Sequence, residues 1–598
     1  MPGIVGLITR LPRQQAEAEL LRMVDTLRQE SFHVTGTWSD EALGVYVGWV
    51  VQENSFAANM PVCSKRGDVI LIFSGEEYSK RETHTLKADR PSYLADRYEE
   101  DPTFPSCLNG RFHGIVVDRA RGTATVFNDR YGMHRLCYHE SKEAFYFAAE
   151  SKAILEVRSE LREADPRGLG EFVTYSCVLD NRTIFKGIYL LPQASAWTFR
   201  SASLDQKKTY FDPSEWENQS PLAPEAYYQE MREVFSHNLP RYFNGHERIG
   251  MTLTGGLDTR AIVAWRNAVS GSLPCYTFGG MFRECQDVRV ARRVANLCGQ
   301  SHEVIEVSDK FLTRFPRYAE RSVYLTEGGV DVSRASDLYV SERAREIAPV
   351  KIVGTYGSEI VCHAVMLEPA ATAGGLFRRD FLPYIGQAQE SYGELRHVHP
   401  VTFAAFRQSP WYHYGVLALE QSQLTVRSPF LDNDFVRTAF RAPKSDGADK
   451  DIRLRLIRDA NPDLGRIRTD RGIGGNSGHV IATMTRRYLE FTTKAEYAYD
   501  YGMPQWLARV DHLFAAFHFE RLFLGRHKVC HFRVWYRDTL ADYVRETLLD
   551  PRALARPYLE PKGLESVVRG HLSGTRNHTK EIHKMLTLEL IHRLFLDR

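Results

Sequence analysis

Residues 249–260 read Ile-Gly-Met-Thr-Leu-Thr-Gly-Gly-Leu-Asp-Thr-Arg, and an apolar stretch passes into a glycine pair and then into the helical run 260–266 with nothing between them. That junction constrains the fold more than any other segment, because strand, turn and helix must follow one another directly. Gly255 and Gly256 carry no side chains. Their backbone can therefore approach a ligand closely, and the free amides opening the next helix suit the negative charge of phosphate. Thr254 and Thr259 add hydroxyls, and Asp258 adds a carboxylate suited to a magnesium ion on the phosphates. The pattern is not Gly-x-x-x-x-Gly-Lys-Ser/Thr.

The flanking sequence predicts two architectures. Beyond the junction, short apolar strands at 275–278, 304–307 and 351–353 alternate with helical periodicity, as over 288–297. Alternation of this kind implies α/β construction with a parallel sheet and a ligand at the carboxyl ends of its strands. Gly279 and Gly280, at the end of one such strand, are then expected beside that ligand. Before the junction, β-like runs at 69–73, 115–117, 124–127 and 145–148 suit an antiparallel two-sheet α+β domain flanked by helices. Polar, proline-punctuated residues 206–222 read as a linker between domains at 1–205 and 223–598. A chain of 598 residues is long enough for both.

Composition narrows the function classes. With 77 basic against 75 acidic residues, the chain presents no field that would draw nucleic acid or a membrane surface. Nine cysteines without a Cys-x-x-Cys pair speak against zinc and a disulfide framework. The Met-Pro-Gly start has no signal-peptide pattern and no apolar run nears the roughly 20 residues of a membrane span, so a cytoplasmic protein is expected. His571, His578, His583 and His592 are spaced by seven, five and nine residues, which does not put metal ligands on one helical face.

The 254–259 segment resembles the Ser-Gly-Gly-x-Asp-Ser loop of the ATP pyrophosphatase (PP-loop) superfamily. Further landmarks follow in order: Met-Pro-Gly-Ile-Val-Gly-Leu at 1–7, Phe-Asn-Asp-Arg-Tyr-Gly at 127–132, Phe-Ala-Ala-Glu-Ser-Lys at 147–152, and Arg-Ser-Pro-Phe-Leu-Asp at 427–432. Together they make the chain similar, nearly end to end, to the asparagine synthetase family. The resemblance implies an N-terminal Ntn-type αββα sandwich and a C-terminal PP-loop (adenine nucleotide alpha hydrolase-like) domain with a helical extension. It further implies ATP and Mg2+, with Asp258 and Glu359 as metal carboxylates and Gly357 in the nucleotide loop. Its partners would be a small-molecule carboxylate and an amine or ammonia, and its expected assembly a homodimer. Gly-Thr-Tyr-Gly-Ser-Glu at 354–359 is also similar to the corresponding segment of β-lactam and carbapenam synthetases. That likeness implies Tyr356 assisted by Glu390 as the base acting on the incoming nitrogen. Where the family carries a catalytic Lys this chain has Asp470, followed by Arg471 as the candidate cation.

The N-terminal half departs from the family. Pro2 stands where the resemblance expects a cysteine nucleophile, Ser74-Gly75-Glu76 replaces Asn-Gly-Glu, and 33–37 and 48–50 lack the glutamine-binding signatures. An AMP-forming amide ligase without its own glutaminase is therefore expected. Asparagine synthesis proper and a non-catalytic ATP-binding protein are the alternatives.

Overall fold

The computed structural model describes residues 2–79, 91–371, 373–443, 452–475, 479–513 and 517–598. Among the described residues, twelve strands form the N-terminal part: β1 (Gly3–Thr9), β2 (His33–Asp40), β3 (Val45–Gln52), β4 (Val62–Cys63), β5 (Val69–Glu77), β6 (Gly110–Asp118), β7 (Thr123–Asn128), β8 (Cys137–Glu140), β9 (Ala144–Ala148), β10 (Tyr189–Leu190), β11 (Ser195–Arg200) and β12 (Ser203–Thr209). They build two antiparallel sheets, ordered β10-β8-β9-β1-β3-β2 and β12-β11-β7-β6-β5-β4. β1 and β3 are buried at every position, because each is covered on both faces. Ile4, Ile8, Val45 and Val47 share a core with Leu71, Phe73 and Ile115 of the facing sheet. The opposite face meets the helix Arg13–Leu27, so closely that a Cβ on Gly48 would lie 2.3 Å from Val24. This is the expected αββα sandwich.

One boundary differs from the sequence expectation. Residues 206–209, read as linker, belong to β12, which pairs with β11 from Ser195 opposite Thr209 to Arg200 opposite Ser203. An exposed edge strand is protected by charged side chains, so Asp205, Lys207 and Lys208 give it a linker's composition.

The C-terminal part holds a parallel sheet of β13 (Ile249–Thr252), β14 (Cys275–Gly280), β15 (His302–Val307), β16 (Val350–Ile352) and β17 (Thr425–Arg427), ordered β15-β14-β13-β16-β17. Strand order reverses between β13 and β16. At such a switch point the loops leaving two neighbouring strands diverge and open a crevice beyond their carboxyl ends. The site lies there.

Helices make up most of the remainder, ending in Thr579–Ile591, which is buried throughout except Lys580 and Glu581. His571 takes the His578 amide at 3.0 Å and faces the Arg533 carbonyl at 3.2 Å, while His583 meets the Tyr536 hydroxyl at 2.7 Å. Among the described residues no helix is long and apolar enough to cross a membrane.

Buried polar contacts join the two parts. Asn109 donates to Asp432 at 2.9 Å, and the Glu327 carboxylate accepts the Ser151 and Lys152 amides at 3.0 and 2.6 Å.

Candidate active site

The loop after β13 and the loop after β16 interlock. A Cβ on Gly354 would lie 2.7 Å from the Thr259 nitrogen, and one on Gly357 would lie 2.7 Å from the Asp258 carboxyl carbon. Only glycine lets the loops approach this far. Asp258 opens the helix Asp258–Arg266 and Glu359 lies in the first turn of the helix Gly357–Cys362, so two helix starts face one crevice.

Thr254, Gly255, Gly256, Asp258 and Thr259 all converge there. The Thr254 and Thr259 hydroxyls lie 3.3 Å apart, and Thr254 Oγ1 accepts the Gly256 amide at 3.3 Å. Ser358 donates to Asp258 Oδ2 at 2.8 Å. Arg453 donates to Asp258 Oδ1 at 3.0 Å and to Ser358 Oγ at 2.7 Å. Burial pushes the Asp258 carboxyl up, as does the nearby charge of Glu359, while Arg453 and Ser358 oppose the rise. For Glu359 burial acts in the same direction, but His413 at 3.2 Å outweighs it and holds the carboxyl below its ordinary value.

Two carboxylates within reach of each other's charge are a donor set that fits magnesium on a nucleotide, an ion that takes one or two protein carboxylates and fills its remaining positions with phosphate and water. Among the described residues no group of three or more His, Cys, Asp or Glu is placed to hold a metal alone.

Gly279 and Gly280 end β14, packed against Val304 and the backbone of Val529. Tyr356 is buried with φ of 78°, a left-handed conformation unusual for a residue with a side chain, and its ring meets His413 edge-on at 5.6 Å. Burial drives its hydroxyl far above the ordinary tyrosine value. Arg111 of β6 is the leading opposing charge, and Glu420, Glu359 and Asp129 add to the rise.

Glu390 is not gathered with Tyr356. It is exposed on the helix Leu382–Arg396, which packs on the helix Pro166–Tyr175, and its charge is not among those that dominate at Tyr356. Sequence distance suggested the pairing, but docking of that helix on the sandwich turns Glu390 to solvent. Glu394, one turn further on the same helix, is likewise exposed. Arg471 is exposed on the loop beside Asp470.

Several site residues carry no motif. Asp287 accepts the Gly255 amide at 2.8 Å, and Asp470 crowds the same glycine, whose added Cβ would lie 2.7 Å from each side chain. Burial, with Asp470 adding to it, pushes Asp287 up to about 6. Arg260, fully buried, ties the loop to the 464–470 segment by donating to the Gly255 and Leu464 carbonyls at 3.3 and 3.4 Å. Arg453 follows the undescribed residues 444–451, and His413 lies within a long helical segment, so neither offered a local signal.

In the sandwich, a cavity of about 60 Å³ is lined by Pro2, Ser74, Glu76, Arg111, His134 and Gln421. That is space for a few waters. Glu76 is engaged by Arg427, which donates to it at 2.9, 3.0 and 2.6 Å and spends its remaining nitrogen on the Tyr242 and Asn244 carbonyls.

A two-sheet sandwich fused to a parallel sheet, with a Gly-Gly loop at the switch point, defines a two-domain chain of amidotransferase-like and ATP-binding parts. Residues 1–211 match the glutamine amidotransferase domain family and residues 230–464 the asparagine synthase family. The chain thus carries the domain pair of the asparagine synthetase family, an amidotransferase domain followed by a synthase domain. It is 22% identical over 317 residues to asparagine synthetase [glutamine-hydrolyzing] 1 of Bacillus subtilis, covering 50% of this chain and 49% of that protein. Amidase chry2 of Gibberella zeae is 21% identical over 331 residues, covering 50% of this chain and 48% of its own length. The chain thus spans about half the length of these relatives. Among solved structures, glutamine phosphoribosylpyrophosphate amidotransferase of B. subtilis matches at 10% identity and a TM-score of 0.24, over 51% of this chain and 80% of that one, too loosely to bear on function.

Proposed function

We propose that this protein is an ATP-dependent, AMP-forming ligase that activates a carboxylate as its acyl-adenylate and passes it to ammonia or an amine. The observation that carries this reading is the interlock of the 254–259 and 354–359 loops, which brings Asp258 and Glu359 to one crevice at the switch point. In this scheme the amides and hydroxyls of 254–259 bind the phosphates. A substrate carboxylate oxygen attacks the α-phosphorus, the α–β P–O bond breaks, and pyrophosphate leaves with the electron pair. Asp258 and Glu359 would hold magnesium, whose chemistry is to neutralise phosphate charge. Arg453, anchored on Asp258 and Ser358, keeps both oriented and adds fixed positive charge where the transition state gains negative charge. Tyr356, kept protonated by burial, acts as a hydrogen-bond donor and not as the base.

Glutamine is not the nitrogen donor in this reading. Pro2 supplies no thiol, the cavity beside it holds only a few waters, and Glu76 is committed to Arg427. Nitrogen enters as free ammonia or as a substrate amine.

The test is magnesium-dependent ATP/pyrophosphate exchange by the purified chain, offered aspartate, then other amino acids, then small-molecule extracts. Exchange with aspartate alone identifies an ammonia-driven asparagine synthetase, and exchange with another acid identifies a ligase of different specificity. A folded protein that exchanges with none of them overturns the proposal.

A further inference from the structure

A second cavity, of about 320 Å³, opens beside the start of the helix Gln286–Leu297. That volume falls in the range of small-molecule sites, roughly 300–1,000 Å³. Its wall carries Arg283, Arg289, Arg526 and His527, with Glu284 as its one acidic side chain. Glu284 is spoken for by Arg289 at 3.4 Å and by Arg292. Arg283 gives one nitrogen to the Arg521 carbonyl at 2.7 Å, while its buried Nε has no partner. Arg526 donates to a neutral group, the Tyr488 hydroxyl, at 2.9 Å. The cavity is therefore cationic, with donors to spare.

Its position links it to the phosphate loop. Gln286 lines the cavity, and the next residue, Asp287, accepts the Gly255 amide at 2.8 Å. Burial lowers His527, and it feels the charge of Glu496 first and then those of Asp470, Arg526 and Arg471. At the loop itself, Asp287 and Asp470 crowd Gly255 with negative charge, and Arg453 is held by Asp258. A polyphosphate leaving the loop on that side meets Arg471 beside Asp470 and, beyond Asp287, the arginines of the cavity.

We propose that this arginine-lined cavity receives inorganic pyrophosphate as it leaves the phosphate loop, with Arg283 and Arg526 as its principal ligands. The inference rests on the adenylating reading for its role, though not for binding itself. Planar guanidinium groups suit phosphate oxygens because they donate in pairs.

Titration calorimetry of the full chain with magnesium pyrophosphate, for wild type, Arg283→Gln and Arg526→Gln, tests it, with AMP titrated in parallel. Each variant is expected to weaken pyrophosphate binding about tenfold to a hundredfold and to leave AMP binding unchanged, with partial recovery in Arg526→Lys. No binding to wild type, or equal binding to wild type and both variants, overturns the cavity's role. Equal loss of AMP and pyrophosphate also overturns it, since it would mean that the loop itself had been disturbed. If the variants lose pyrophosphate while no acid supports exchange, the cavity stands and the adenylating reading falls. If exchange proceeds with an unchanged pyrophosphate KM in both variants, the reverse holds.

Discussion

Arg427, at the end of β17, closes on Glu76 of β5 at 2.6 Å, and both side chains are about nine-tenths buried. The last strand of the parallel sheet is thereby fixed to the sandwich by a charge pair out of water. Removing one member of such a pair leaves the other buried without compensation, which costs about 3–5 kcal/mol. Arg427→Ala should lower unfolding stability by that order in urea titration. Glu76→Leu combined with Arg427→Met should recover most of it, and failure of the double variant to recover would assign the loss to packing instead.

Asp258→Asn keeps the side chain's size and its contact with Ser358 but removes the charge that pairs with Arg453 and that the proposed reaction would use to hold magnesium. The expected result is a loss of AMP formation of about a hundredfold or more at unchanged far-ultraviolet circular dichroism. Activity within a few-fold of wild type would remove Asp258 from the reaction.

Tyr356 is held protonated by burial. Tyr356→Phe is therefore expected to reduce the rate of amide formation without moving any limb of the pH–rate profile between about pH 6 and 9. A basic limb that disappears in the variant would make Tyr356 the titrating base after all.

Asp287 supplies a stability test. Its folded value, near 6, lies above the unfolded carboxylate value of about 3.9. The folded state thus binds the proton more tightly. The stabilisation is fully present below about pH 4 and is lost as pH rises through 6, amounting to about 2–3 kcal/mol. Asp287→Asn should flatten unfolding stability across pH 4–6 and be more stable than wild type at pH 7. Asp470→Asn, by removing a repelling charge, should shift the transition to lower pH.

Much of the site was legible because it is local. Thr254 to Thr259 is one strand-turn-helix junction, and Gly357 and Glu359 sit in another, so chain neighbours supply the geometry. The sandwich was legible too, since the apolar runs 69–73, 115–117, 124–127 and 145–148 fall on β5, β6, β7 and β9. The Tyr356–Glu390 pairing was not, because 33 residues intervene and the helix Leu382–Arg396 docks on the sandwich. β12 looked like a linker for a related reason: an edge strand's composition answers to solvent, and only its pairing with β11 identifies it.

By itself the sequence determined the strand-turn-helix junction around Gly255 and Gly256, the alternation that makes a parallel sheet, and a proline at position 2, where the family resemblance expects a thiol. Tertiary structure alone decided which charges meet: Arg453 with Asp258, His413 with Glu359, Asp287 and Asp470 around Gly255, and Arg427 with Glu76. Backbone pattern is set over a few residues by steric and hydrophobic periodicity, so it is written locally. Charge pairing depends on which distant elements exclude water together, and that is settled only once the strands have taken their order in the sheet.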